Sequence, residues 1–451
     1  MTGTKTQQLP RATIAREPGN PSDNVFRTGY RRTYTQQFDQ LYHQRLQQLK
    51  PAVQQTAQTK WPKIKQTLTV LGVDNTAISY IIGTIFIDSP SKPSTLQQVE
   101  NEPWISNPEI PEQGYRSDEH TVYLEDESGR IRLTGSIIDT TALASGVVAA
   151  ALGQETPTGD FEVADLCYAG MAPQSNTQAI GRQTEQEDTY VALLSGLDIG
   201  ADNPVTLQMQ VLAELLCGNL GTLQGIQTRV AARVAQVVVL GNTLHLTPAP
   251  LGHAEDARLN DRTQAAQVAR QVDDWLADIA RCVPVHLVPG EHDPTDCSLP
   301  QQPLPRGLFA QSQGANEFQL LTNPAIVQLG QMQWVYSAGQ NIDDLMRYRV
   351  DAGESACQVA ARSLGWRHLA PSAPDTLWCY PFVDHDPFVL DSSPHVYAVG
   401  NQERFDTCVA QGDSPGVQTR VVMVPRFSRT GQAVLLNTRT LECTVLNVLP
   451  Q

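Results

Sequence analysis

No apolar run in the 451 residues approaches the roughly 20 needed to cross a bilayer. The first twenty residues are polar and carry Pro10, Pro18 and Gly19, so they offer no apolar core for a secretory signal. No membrane partner is expected. The eight cysteines (Cys167, Cys217, Cys282, Cys297, Cys357, Cys379, Cys408 and Cys443) are scattered, and none forms a Cys-x-x-Cys pair. They read as buried free thiols in a reducing compartment. A structural zinc site needs clustered ligands, and the sequence shows no such cluster. Apart from His292, the histidines (His43, His120, His245, His253, His286, His368, His385, His395) lack His-x-x-x-His or similar ligand spacing. No metal and no cofactor is expected.

Cations are also scarce, and unevenly placed. The formal charge is −15. Residues 1–65 hold eleven Lys/Arg against three acids, a surplus of +8, which leaves −23 for the remainder. A body that acidic repels a phosphate backbone, so tight direct binding to DNA is disfavoured. The basic N-terminal piece either touches nucleic acid or an acidic partner, or is a solvated tail.

What is present is enough apolar sequence for globular cores: 41% of residues are hydrophobic, and the length favours two or three domains. Residues 1–28, with few apolar side chains, read as a disordered basic tail. A helical segment over 29–65 follows. Phe38, Leu41, Leu46 and Leu49 fall on or near one face of a helix from about Tyr34 to Gln55, with Pro51 as an interruption. That helix packs on its own domain or docks a partner; the sequence leaves both open. Short strand signals then begin at Ile78–Ile87, where Gly83 suggests a bulge or bend. Thr121–Asp126 and Arg130–Gly135 flank a Glu127-Ser128-Gly129 hairpin turn, and Gly146–Gly153 and Phe161–Leu166 complete the set. Five or so strands in about 100 residues suggest a small barrel, and an OB-fold fits the stretch 66–175. Its strands carry Tyr80, Phe86, Tyr123 and Phe161 but few cations, which favours a structural or protein-binding barrel over a single-strand reader. Residues 176–188 read as a polar linker. From 189 to 451 strands and helices alternate: Thr189–Leu194, a helix over 203–217, Val234–Leu240, a helix carrying Val268, Val272, Trp275 and Ile279, and Pro284–Val288. The C-terminal strands around Val396, Val421, Val434 and Val445 have few helices between them. That points to a two-sheet α/β sandwich.

The strand at 284–288 leads into Val288-Pro289-Gly290-Glu291-His292-Asp293-Pro294. Loops at the carboxyl ends of strands are where α/β folds place functional groups, so His292 and Asp293 are the first candidates. The pattern Gly-Glu-His-Asp resembles the Gly-Asn-His-Asp/Glu signature of calcineurin-like metallophosphoesterases. Such enzymes hold two cations about 3.5–4 Å apart with Asp and His from several strand ends. By that resemblance the first ligand motif falls on Ser195-Gly196-Leu197, where neither ligand is present. The second falls on Gly241-Asn242, where an amide replaces the bridging carboxylate. Glu291 stands for the ligand Asn, His292 for the acid that protonates the leaving group, and Gly400-Asn401-Gln402-Glu403 for a last motif whose histidines are gone. Ser195, Leu197, Asn242, Glu291, His292, Asn401 and Glu403 are therefore degenerate metal-site positions, and no catalytic residue is assigned. Asn242, Glu291 and Glu403 retain oxygens that bind a hard cation only weakly.

A barrel followed by a phosphoesterase domain with ruined metal motifs is the plan of the B subunits of replicative DNA polymerases. Longer stretches resemble the small regulatory subunits of the delta type: Leu41-Tyr42 with Arg45-Leu46, Leu124-Glu125-Asp126-Glu127, Leu194-Ser195-Gly196-Leu197, Pro289 to Thr295, Leu299-Pro300-Gln301-Gln302-Pro303-Leu304, Ser337 to Asn341, and Ala373-Pro374-Asp375-Thr376-Leu377-Trp378. The resemblance runs from about residue 27 to about 447. It implies a two-domain α+β and α/β fold, an OB-fold barrel followed by a calcineurin-like α/β sandwich. It also implies a nuclear, non-catalytic scaffold. The implied partners are the cysteine-rich C-terminal domain of the catalytic subunit of DNA polymerase delta and a third, clamp-binding subunit. The catalytic subunit of polymerase zeta is a further implied partner, and DNA would be met indirectly. The competing readings are an active metallophosphoesterase with an atypical metal site and an OB-fold single-strand-binding protein.

Overall fold

The computed structural model describes residues 12–14, 25–29, 32–73, 77–92, 114–116, 119–175, 188–200, 202, 205–219, 232–246, 255–315 and 317–448. The expected linker over 176–188 lies outside these residues except for Asp188, as does most of the expected tail over 1–28. The described pieces of that tail are held on the body, which corrects the disordered reading locally. The Ala12 amide donates to the Ala232 carbonyl (3.0 Å), and Phe26 is buried against Phe388.

Helix α1, Asp39–Lys60, begins later and runs further than the sequence suggests, and Pro51 does not end it. Pro51 is exposed, while Leu41, Leu46, Leu49, Val53 and Ala57 are buried on the other side. An interior proline costs about 3 kcal/mol, which burial of several such side chains at roughly 1.5–3 kcal/mol each outweighs. The helix packs on its own barrel. Leu46, Leu49, Val53, Ala57 and Trp61 meet Tyr80, Ile82, Val148, Ala150 and Cys167 in one cluster. Of the basic residues counted in 1–65, Arg45 is fully buried, Arg32 pairs with Asp296, and Lys60 pairs with Asp165. The surface charge there is smaller than the +8 suggests.

The barrel strands are β1 Lys65–Gln66, β2 Ser79–Asp88, β3 Thr121–Glu125, β4 Arg130–Thr134, β5 Val148–Glu155 and β6 Phe161–Tyr168, with helix α2 at Ser136–Thr140. Their order is β1-β2-β3-β4-β6-β5, and β5 returns to β2, which closes an OB-fold. β2 closes it by pairing with β5 over Ser79–Thr84 and with β3 over Thr84–Asp88. Gly83 sits at this changeover, where a Cβ would lie 2.6 Å from the Glu125 carbonyl oxygen. The expected bend is therefore a close backbone approach.

The second fold opens with β7 Tyr190–Leu194, β8 Ile199–Gly200, α3 Leu207–Cys217, β9 Val234–Leu240, β10 Leu244–His245, α4 Glu255–Ala280 and β11 Val285–Val288. It continues with β12 Phe318–Leu320, β13 Ala325–Leu329, β14 Met332–Ser337, α5 Gln340–Leu345 and α6 Ala356–Gly365. It ends with β15 Val396–Gln402, β16 Asp406–Gln411, β17 Gln418–Pro425, α7 Phe427–Thr430, β18 Gln432–Asn437 and β19 Cys443–Asn447. One sheet is β12-β11-β9-β7-β18-β19 and the other β13-β14-β15-β17-β16. Alternation along the strands builds the layers. Val191, Leu193, Val238 and Leu240 face the second sheet through Trp334, Tyr336, Val396 and Val422. Ala192, Leu194, Val237 and Val239 face α3 and α4 through Leu212, Val272 and Trp275.

The barrel and the sandwich share a core instead of meeting as separate bodies. Ile81, Ile85 and Leu124 of the barrel lie in one apolar cluster with Ile342 of α5, Leu364 of α6 and Tyr397 and Val421 of the second sheet. A buried polar joint sits beside it. Arg45 donates to Asp386 (2.7 Å) and to the carbonyls of Pro371 (2.6 Å), Ala373 (2.6 Å) and Gly146 (3.3 Å). His368 bonds Asp386 through Nε2 (3.0 Å), and its Nδ1 accepts from the Ala370 amide (3.1 Å). With Nδ1 occupied as an acceptor the ring is neutral and carries its proton on Nε2. Burial and the Arg45 charge together push the His368 pKa down to about 4. For Asp386 burial acts upward, but Arg45 and His368 outweigh it and hold the carboxyl well below the usual range.

Candidate functional site

β7, β9 and β11 are parallel in the first sheet, and β14, β15 and β17 are parallel in the second. Their carboxyl ends meet at one edge of the sandwich, and the sequence-predicted positions fall there. Ser195, Asn242 and Asn401 come together and are all buried. The Ser195 hydroxyl lies 3.0 Å from the carbonyls of Val424 and Pro425 and accepts the Asn401 amide at 3.0 Å. The Asn401 side-chain amide donates to the carbonyls of Leu240 (3.0 Å) and Ala338 (2.8 Å), one from each half of the sandwich. Asn242 accepts the backbone N–H of His292 through Oδ1 (3.1 Å). Asn242 and Asn401 have φ values of 53° and 58°, in the left-handed region that Asn tolerates better than most side chains.

Other predicted positions do not join this group. Leu197 is fully buried in the apolar cluster between the first sheet and its helices, so it faces away from the strand ends. Glu291 and Glu403 are exposed. Asp293, a first candidate beside His292, is 5% exposed and faces the backbone. It accepts from the amides of Thr243 (3.0 Å), Leu244 (2.7 Å) and Gly290 (2.8 Å). Burial pushes its pKa up to about 6 against these donors. Asp293 is thus a clamp joining the 241–245 loop to the 290–293 loop.

Sequence reasoning missed two neighbours of His292. Asp198, with φ 47°, bonds His292 Nδ1 through Oδ1 (3.1 Å) and accepts the Ser428 hydroxyl on Oδ2 (2.8 Å). His245 meets the His292 ring edge-on, with centroids 5.1 Å apart. The β8–β10 ribbon sets this up by pairing Gly200 with His245. A Cβ on Gly200 would come 2.6 Å from the His245 carbonyl oxygen. Asp198 and His245 are 47 residues apart, so only the fold brings them together. The signal available in sequence was that each follows a strand end already singled out. The Asp198 hydrogen bond raises the His292 pKa against burial. Burial pushes the Asp198 carboxyl up, but its bonds to His292 and Ser428 prevail and hold it low.

The barrel and the two-sheet sandwich each match a family model of DNA polymerase subunits. The family model for the B subunits of DNA polymerases alpha and epsilon matches residues 191–407, and the model for the OB-fold domain of DNA polymerase delta subunits matches 37–166. The DNA polymerase delta small subunit of Arabidopsis thaliana is 37% identical over 417 residues, covering 92% of each chain. DNA polymerase delta subunit 2 of Drosophila melanogaster is 35% identical over 92% of this chain and 94% of that one. The small subunit of Saccharomyces cerevisiae is 30% identical over 94% and 92%. The chain belongs to the DNA polymerase delta small-subunit family.

Proposed function

We propose that this chain is a non-catalytic scaffold of a nuclear DNA polymerase delta. It would bridge the cysteine-rich C-terminal domain of the catalytic subunit to the third, clamp-binding subunit in replication and repair. Polymerase zeta would use the same scaffold. The observation that carries the non-catalytic part is the state of the strand ends. A two-cation phosphoesterase needs carboxylates and imidazoles converging there. Here Ser195, Asn242 and Asn401 are neutral, and their hydrogen bonds run to one another's loops and to backbone carbonyls. These amides and the hydroxyl brace the two halves of the sandwich where a bridging carboxylate would have to stand. The shared core of barrel and sandwich supports the scaffold part, because it presents both surfaces as one body. The test is co-purification with the two other subunits, identified by mass spectrometry, beside a hydrolysis assay with Mn²⁺ or Mg²⁺. His292→Ala and Glu403→Ala should leave assembly unchanged, and no phosphodiester should be cleaved. Hydrolysis lost on His292→Ala, or a folded cleft variant that fails to assemble, would overturn the proposal.

A further inference from the structure

We infer that Asp198, His245 and His292 form a site for one borderline divalent transition-metal ion, of the Zn²⁺ or Co²⁺ kind, beside the braced strand ends. Their ligand atoms all lie within 4.8 Å of one another. The Asp198 Oδ1 to His292 Nδ1 separation is 3.1 Å. Bonds of about 2.0–2.1 Å put neighbouring ligands about 2.9 Å apart in an octahedron and about 3.4 Å apart in a tetrahedron. The observed pair lies between these values, so an ion can take the place of the shared proton without moving either backbone. His245 is exposed, so the ion reaches the site from solvent and the His245 imidazole has room to turn toward the other two ligands.

The donor set selects the class of ion. Two imidazoles and a carboxylate suit zinc, cobalt, nickel or ferrous iron, whereas calcium and magnesium prefer all-oxygen shells. The site also has outer support of the kind that orients metal ligands. Ser428 holds the second Asp198 oxygen at 2.8 Å, Asn242 holds the His292 backbone, and the Asp293 clamp fixes both loops. Glu291 is a nearby charge that favours a cation, and Arg426 is one that opposes it. Three protein ligands leave the remaining positions to water. With Asn242 and Asn401 committed to the brace, the arrangement holds one ion and not the pair that phosphoesterases use. Of the three ligands only His292 stands where the phosphoesterase resemblance places a functional residue. The inference therefore does not depend on the scaffold reading.

The test is titration of the full-length, chelator-stripped chain with Co²⁺, followed by optical spectroscopy and competition with Zn²⁺. One equivalent should bind, giving d–d bands without the thiolate charge-transfer band that cysteine ligation produces. Asp198→Asn, His245→Gln and His292→Phe should each weaken binding about tenfold or more, and Ser428→Ala about tenfold. Cys282→Ser with Cys297→Ser, at the two exposed cysteines, should leave the affinity unchanged. Thermal melts of each variant establish that it is folded. No stoichiometric binding, a thiolate band, or an affinity indifferent to the His245 and His292 substitutions in folded protein would overturn the inference.

Discussion

Arg45→Met should be among the most damaging single substitutions in this chain. The guanidinium is fully buried and binds the Asp386 carboxylate and three carbonyls, one from Gly146 in the turn before β5 and two from the 371–373 turn. Met fills much of the volume and satisfies none of these groups. Removing one partner of a buried ion pair costs about 3–5 kcal/mol, because the other charge stays buried and uncompensated. A domain of ordinary stability holds about 5–15 kcal/mol, so the loss is a large fraction. The effect should be structural as well as energetic, since Arg45 ties α1 to both folds. Urea unfolding should show a lower midpoint, and limited proteolysis should open α1 first. The pair Arg45→Met with Asp386→Leu removes both charges and should recover part of the loss, with a coupling of several kcal/mol in the double-mutant cycle. A single variant within about 1 kcal/mol of the parent, or strict additivity in the cycle, would refute the reasoning.

Three further outcomes follow from the same contacts. His368 has a folded pKa of about 4 against about 6.5 unfolded, so between these values only the unfolded chain binds its proton. Stability should fall as pH drops through that window, by at most about 1.4 kcal/mol per pH unit from this group, and His368→Gln should flatten the slope in parallel melts. Trp275→Ala removes a 5%-exposed side chain whose Nε1 donates to the Met209 carbonyl at 2.9 Å, and should cost about 3–5 kcal/mol by chemical denaturation. Asn401→Asp replaces two amide donations with a carboxylate facing the Leu240 and Ala338 carbonyls; it should lower the melting point more at pH 8 than at pH 5, and equal losses would exclude the brace.

The elements were legible where periodicity was strong. β3, β4 and β9 match their expected spans closely, because each is a short alternating or continuous apolar run between turn residues. β13, β14 and β16, which complete the second sheet, carry no strand signal in the sequence reading. The polar members of β13 and β14, such as Gln328 and Gln333, sit in short runs that the Gly330 turn separates. The helix runs past the expected Gln55 to Lys60 because Val53, Ala57 and Trp61 pack on a barrel face that is remote in sequence. Arg45 is the same problem in another form. A cation on an amphipathic helix reads as solvated, and its carboxylate partner lies 341 residues away.

The site was half legible for a related reason. Motif spacing locates strand ends, so Ser195, Asn242, Asn401 and His292 could be named. It does not say which way a side chain turns on leaving the strand. Leu197 turns into the core, and Asp198, with a left-handed backbone, turns to His292. On the reading proposed above, that amides stand where a phosphoesterase has acids, the replacement has a consequence that counting lost ligands misses. A carboxylate at a buried strand end requires a cation or a proton beside it. An amide asks less: its N–H groups find carbonyls, which strand ends supply, while its carbonyl oxygen carries no net charge, and the Asn401 Oδ1 is buried without a partner among the described residues. On that proposed reading, a place that depends on bound charge in a phosphoesterase holds itself closed here through neutral hydrogen bonds. A body closed in this way keeps its outer surfaces in register without a ligand, which is the property a scaffold needs and a hydrolase does not.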